Sequence, residues 1–249
     1  MKNLMKATTL AVTVSGALGF AAVSYAEDGD QEGSSRAQTL EYSANYVLSR
    51  RGTDRGEASR ILERHENDQW RYYTETSARL LVLSDRRKNE TYFRMEEGRV
   101  KPLLFDYTRE GTGSNQYLRI RFDYENEQVI SEGEDDVDVE WHANLLDPNA
   151  VLHQLQLDVA GDDENWSYPL VDERGNYRDY EFERTGTETL DLPYGTFDTV
   201  RVVRVRDTDR RETIFWFAPE LNYTLVKMQQ IEKGREQLQI QLKNLDLKG

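Results

Sequence analysis

Tyr117-Leu118-Arg119-Ile120-Arg121-Phe122-Asp123-Tyr124 decides the fold class. Leu118, Ile120, Phe122 and Tyr124 alternate with Tyr117, Arg119, Arg121 and Asp123. A period of two puts the apolar set on one face of an extended strand and the charged set on the other. The same pattern recurs outward in both directions. Towards the N-terminus it appears at Leu40, Tyr42, Ala44, Tyr46 and Leu48, at Trp70, Tyr72, Ala78, Leu80 and Val82, and at Leu103, Phe105 and Tyr107. Towards the C-terminus it appears at Val137, Val139 and Trp141, at Tyr180 and Phe182, at Leu190 and Leu192, and across Phe197–Val205, Ile214–Phe217, Tyr223–Met228 and Leu238–Leu242. Turn-forming pairs such as Arg51-Gly52, Glu97-Gly98, Tyr194-Gly195 and Lys233-Gly234 separate these runs. About ten strands joined by short turns make an antiparallel meander, one face covered and the other wet.

One segment follows another period. Asp147-Pro148 precedes Val151, Leu152, Leu155 and Val159, an apolar stripe of helical spacing that ends at Gly161. Asp147 suits an N-cap and Pro148 the first helical position. One helix of about three turns cannot cover so many strands. The expected fold is therefore mainly β: a curved meander or open barrel with one α-helix packed on its concave side.

The ends and the composition set further bounds. Lys2 and Lys6 precede a small-residue apolar run ending Ser24-Tyr25-Ala26, the pattern of a secretory signal peptide cut after Ala26. Residues 27–38 read as a flexible leader and residues 39–249 as one β-rich domain. Removal of Lys2 and Lys6 leaves 30 basic against 46 acidic residues, a net charge of −16. That balance excludes a phosphate-neutralising nucleic-acid surface and polybasic membrane docking. With no Cys in the chain, lipid anchoring through an N-terminal thiol, disulfides and thiol chemistry are excluded as well. The expected location is the periplasm, unanchored.

No catalytic constellation stands out, and the expectation is a protein that is not an enzyme and uses no cofactor. His65, His142 and His153 are too far apart in sequence for a zinc motif. No Ser sits in a nucleophile elbow. The acidic stretches 132–140 and 162–164 lack the spacing of a calcium loop and read as solvated faces. Two features remain. Most of the strand aromatics belong to a core; in an unclosed barrel Tyr42, Tyr46, Trp70, Phe105, Tyr107 and Trp216 line an apolar concavity instead. Gly111-Thr112-Gly113-Ser114-Asn115 is a rim loop, with Gly111, Gly113 and Asn115 as candidate ligand contacts.

The order of several short motifs resembles the exported domain-of-unknown-function 3108 family. These are Tyr42-Ser43-Ala44-Asn45-Tyr46, Val100-Lys101-Pro102-Leu103 before Phe105-Asp106-Tyr107, and Gly111–Asn115. Asp147-Pro148, Gly186-Thr187-Glu188 and Phe215-Trp216-Phe217-Ala218-Pro219 complete the set. The resemblance implies an open barrel similar in shape to the lipoprotein carriers LolA and LolB. It implies no established reaction and no catalytic residues. The functional expectation is a binding or carrier protein for a lipidic or otherwise hydrophobic ligand. The alternative is an envelope interaction protein with a protein partner and no small ligand, and an envelope-polymer hydrolase ranks last.

Overall fold

Thirteen strands form one antiparallel sheet, and its two end strands do not pair with each other. The computed structural model describes residues 36–80, 83–133, 137–208 and 210–248. The signal segment 1–26 and most of the leader lie outside these, as does Val82. The strands are β1 (Tyr42–Arg50), β2 (Thr53–Arg64), β3 (Trp70–Leu80), β4 (Leu83–Glu96), β5 (Arg99–Gly111), β6 (Gln116–Asp123) and β7 (Gln128–Ser131). After helix α1 (Pro148–Asp158) follow β8 (Asn165–Val171), β9 (Tyr177–Leu192), β10 (Gly195–Val205), β11 (Arg211–Ala218), β12 (Thr224–Glu232) and β13 (Arg235–Leu247). Each strand pairs with its sequence neighbours except across the helix, and β1 pairs with β13. The order is thus a ring with a single opening between β7 and β8. The expected open barrel with one helix is the fold observed.

Alternation explains which side chains point inward. Tyr42, Ala44, Tyr46 and Leu48 of β1 are buried, and so are Leu118, Ile120 and Phe122 of β6. The outer face is a lattice of cross-strand charges, such as Arg71–Glu63 at 2.7 Å, Arg86–Glu75 at 2.7 Å and Arg119–Asp106 at 3.2 Å. Such exposed pairs contribute little individually but keep the wet face polar. Inside, one apolar cluster extends from β1–β4 across the helix to β8–β13. A second gathers Phe105, Tyr107, Leu118, Ile120 and Phe122 under Val137, Val139, Trp141 and Leu145. Val137, Val139 and Trp141 were expected in a strand; residues 137–140 form no ladder. Their apolar side chains are used instead as a cover over the inner face of β5–β7, with Trp141 edge-on to Tyr124 at 5.0 Å.

The helix fills the opening. It packs against β3, β4, β5 and β8, and the preceding Leu146 bridges Leu170 of edge strand β8. Asp147 is its N-cap as expected: Oδ1 accepts from the Asn149 and Ala150 amides at 2.9 and 3.1 Å. Gly161 follows as a turn, its amide donating to the Asp158 carbonyl at 3.0 Å. The stripe Val151, Leu155 and Val159 is buried. So are the polar residues Asn149, His153, Gln154 and Gln156, which a helix with one wet face would expose. They tether it on several sides. Thr74 donates to Asn149 Oδ1 at 3.0 Å, the Val100 amide donates to Gln154 Oε1 at 2.8 Å, and Gln156 donates to the Asn222 carbonyl at 3.0 Å.

Two buried titratable groups on this helix oppose each other. Burial without a cation pushes Asp147 up to about 7, against the pull of its amide donors and of Thr91. Burial pushes His153 down to about 4. A carboxyl raised in the fold stabilises below its unfolded pKa, and that contribution is lost as pH rises towards 7. A depressed imidazole stabilises above its unfolded pKa, and that contribution is lost as pH falls towards 4. The two slopes offset each other in the wild type. In urea melts between pH 4.5 and 6.5, the His153→Gln variant should lose stability as pH rises, and the Asp147→Asn variant should gain it. Parallel slopes for the two variants would refute this assignment.

Candidate functional site

The hairpins β1–β2, β3–β4 and β12–β13 meet at one end of the barrel, and a cleft of about 300 Å³ opens between them. Leu48, Ala78, Leu83 and Leu238 supply its apolar wall. Arg50, Arg55 and Arg79 supply its charge, and Ser84, Thr112 and Gln237 its neutral polar atoms. Leu83 is 50% exposed, a large apolar side chain at the lip with half its surface in water. A concave apolar surface with a few convergent polar groups is the usual form of a small-molecule site.

Local backbone features build this cleft. Leu48 faces Gly56 while Ser49 faces Asp54, so Arg55 is the extra residue of a β-bulge. A bulge re-aims a side chain, and Arg55 is turned towards the cleft. Gly56 makes it possible: φ is +154°, and an added Cβ would lie 1.9 Å from the Ser77 carbonyl oxygen. Gly111 has a matching place on the other wall, where an added Cβ would lie 2.2 Å from the Ser84 oxygen. Thr112 then staples the loop to β4, its amide donating to Ser84 O at 2.8 Å and its Oγ1 accepting from Ser84 N at 3.1 Å.

The electrostatics of the barrel interior are basic despite the acidic chain. Asp85 is the one acid among the described residues lining the cleft. It is already engaged by Arg87 at 2.8 Å and Arg109 at 2.9 Å. Burial would raise its carboxyl, but the hydrogen bonds and charges of these two guanidinium groups hold it below the usual range. Deeper in, Arg60 has no carboxylate partner; it donates to Tyr72 Oη at 3.1 Å and lies over the Tyr46 ring at 5.8 Å. Arg204 lies 3.1 Å from the centre of the Tyr180 ring, and burial lowers its pKa. Burial, then the charges of Arg204 and Arg211, bring Arg206 down to about 10.

The sequence-selected residues are placed as follows. Tyr42, Tyr46, Trp70 and Trp216 belong to the larger packed cluster, and Phe105 and Tyr107 to the smaller. None of the six lines the cleft between the three hairpins. Trp216 stands on the opposite face from Phe215 and Phe217; its indole donates to Glu188 at 2.8 Å and the Lys227 ammonium lies 4.4 Å from its ring. Trp70 borders a second, largely polar cleft of about 1090 Å³ at the other end, beside Thr39, Asp68 and Asp158. The rim loop does reach the first cleft, through Thr112 rather than Gly113 or Asn115, which are exposed beyond it. Arg55, Leu83 and Leu238 line the cleft without having stood out in the sequence; the signal available for the first was a glycine directly after an arginine inside a strand. Among the described residues no group of His, Asp or Glu is arranged to hold a metal ion, and no helix is long and apolar enough to cross a membrane. Of the acidic stretch 132–140, residues 134–136 lie outside the described part.

The bulge supports a direct test. Gly56→Ala should lower the thermal midpoint by several degrees, because backbone strain of order 1–3 kcal/mol is added to a clash with Ser77. Gly52→Ala, at φ +72° but with open space around its Cβ, carries the backbone strain without the clash and should cost less. Equal midpoints for the two variants would contradict the close approach of β2 to β3.

A crystal structure of a beta-barrel-like protein of domain of unknown function DUF1849 from Brucella abortus shares the fold: TM-score 0.59 at 8% identity, covering 86% of this chain and 100% of that one. A chain designated a lipoprotein from Parabacteroides distasonis aligns over 85% of this chain and 97% of its own at 14% identity, with a TM-score of 0.34. No curated protein matches the chain significantly. A family model described as protein of unknown function (DUF3108) matches residues 13–240. The chain belongs to the DUF3108 family.

Proposed function

We propose that this protein is a periplasmic binding or carrier module that takes an apolar chain into the cleft between the hairpins β1–β2, β3–β4 and β12–β13. The observation that supports this most is the cleft wall of Leu48, Ala78, Leu83 and Leu238, apolar surface left open at one end of the barrel. Burying such a wall against a hydrocarbon chain is favourable by about 25 cal/mol per Å², which fits reversible uptake and release. The export signal read from Met1–Ala26 supports an activity between two membranes, where an apolar molecule needs a soluble escort. The proposed role is binding rather than catalysis: Asp85, the one acid among the described residues lining the cleft, is held by two arginines, and no histidine stands among those residues.

An uncharged environment-sensitive dye such as N-phenyl-1-naphthylamine tests the cleft. The wild-type protein should enhance its fluorescence with micromolar affinity. Leu83→Glu, at a half-exposed position that the fold does not depend on, should weaken that affinity at least fivefold with an unchanged circular-dichroism spectrum. A wild-type protein that gives no enhancement, or a variant that binds as well as the wild type, would remove the basis for this function.

A further inference from the structure

We propose that the cleft selects an anionic amphiphile, a single acyl chain ending in an oxyanion head, and that Arg55 is the residue that recognises the head. The inference rests on the binding role proposed above and specifies its ligand. Three arginines, Arg50, Arg55 and Arg79, border a cleft of about 300 Å³ whose remaining wall is largely apolar. Their charges are not cancelled there. The cleft's one acid among the described residues, Asp85, is occupied by Arg87 and Arg109. None of Arg50, Arg55 and Arg79 forms an ion pair with a described residue, although the chain has 46 acidic residues and Arg71, Arg119 and Arg121 on the outer face each contact two carboxylates.

Arg55 is singled out by its backbone and by its Nε. The bulge at Arg55-Gly56 interrupts the β1–β2 ladder at the one place that aims this side chain into the cleft. Its Nε is buried and has no acceptor among the described residues. A buried donor without an acceptor is destabilising, a cost that an oxyanion from outside would remove. A guanidinium presents a planar fork that matches carboxylate and phosphate oxygens. Arg50 is held by a hydrogen bond from Nη2 to Gln237 Oε1 at 2.9 Å, which fixes a second positive charge near the same opening. Arg79 is exposed at the lip and leaves room for a head group to enter. Cationic rim and apolar wall together fit an amphiphile and disfavour a neutral oil or a cationic detergent.

The experiment holds the chain constant and changes the head. Dodecanoate, dodecyl phosphate, dodecanol and dodecyltrimethylammonium are titrated, below their micelle concentrations, by displacement of N-phenyl-1-naphthylamine from the full chain. Dodecanoate or dodecyl phosphate should bind at least tenfold more tightly than dodecanol, and dodecyltrimethylammonium should bind worst; the order of the two anions identifies the head. Arg55→Gln should reduce the anions to the affinity of dodecanol and leave dodecanol unchanged. Arg79→Gln, at an exposed position that tolerates change, should weaken the anions by a few-fold, so the proposal stays testable if Arg55→Gln fails to fold. Equal binding of all four ligands would overturn the head-group assignment and leave the apolar cleft standing. Binding of none, with no dye uptake, would overturn both.

Discussion

The structure depends on filling one gap. A meander of thirteen strands that pairs β1 with β13 has a single break, between β7 and β8. Left open, that break would expose two strand edges and the inner face of the sheet. The chain closes it with the segment that connects the two strands. Residues 137–146 lie over the inner face of β5–β7, Leu146 bridges the edge of β8, and α1 packs against both arms. Asp147 joins these parts, since its Oδ1 caps the helix and accepts from Thr91 of β4 at 2.8 Å. Because α1 fills its part of the interior, the aromatic residues that could have lined a concavity are packed, and a mostly apolar cleft lies where other hairpins meet.

A barrel plugged in this way separates structural from functional surface. One end is tied down by the helix through Gln154, Gln156 and Asp158 to the turns after β4 and β11. The cleft of about 300 Å³ lies among the β1–β2, β3–β4 and β12–β13 hairpins instead. Its lining comes from strand ends, with Thr112 of the loop after β5 at its edge. The interior nearby is basic, and the outer lattice of paired charges leaves the net negative charge facing solvent.

Much of the fold was legible in the sequence, and the omissions of β2 and β4 share a cause. β1, β3, β5, β6 and the C-terminal strands show apolar alternation because their inner faces meet other apolar residues. β2 and β4 do not, since they place Arg60, Arg87 and Asn89 at inward positions, and a pattern search takes such segments for solvated chain. Arg60, which helps to hide β2, is also one of the side chains that make the interior basic. The run Phe215-Trp216-Phe217 announced a buried strand but not its faces, so Trp216 was assigned to the inside while its indole pairs with Glu188 on the outside. The helix was legible from Asp147-Pro148 and its apolar stripe; its buried polar side was not, because Gln154 and Gln156 are buried only in the presence of distant strands. The cleft was least legible, since it brings together residues near positions 50, 80 and 238 through the β1–β13 pairing.

The account turns on where an amphiphile sits. Backbone amide shifts of the isotope-labelled protein, followed by NMR during titration with dodecanoate, measure that directly. The largest changes should fall on Leu48, Arg55, Ala78, Ser84, Thr112 and Leu238. Changes centred on Asp68, Gly98 and Gly161 at the opposite end, or none at saturating ligand, would contradict it.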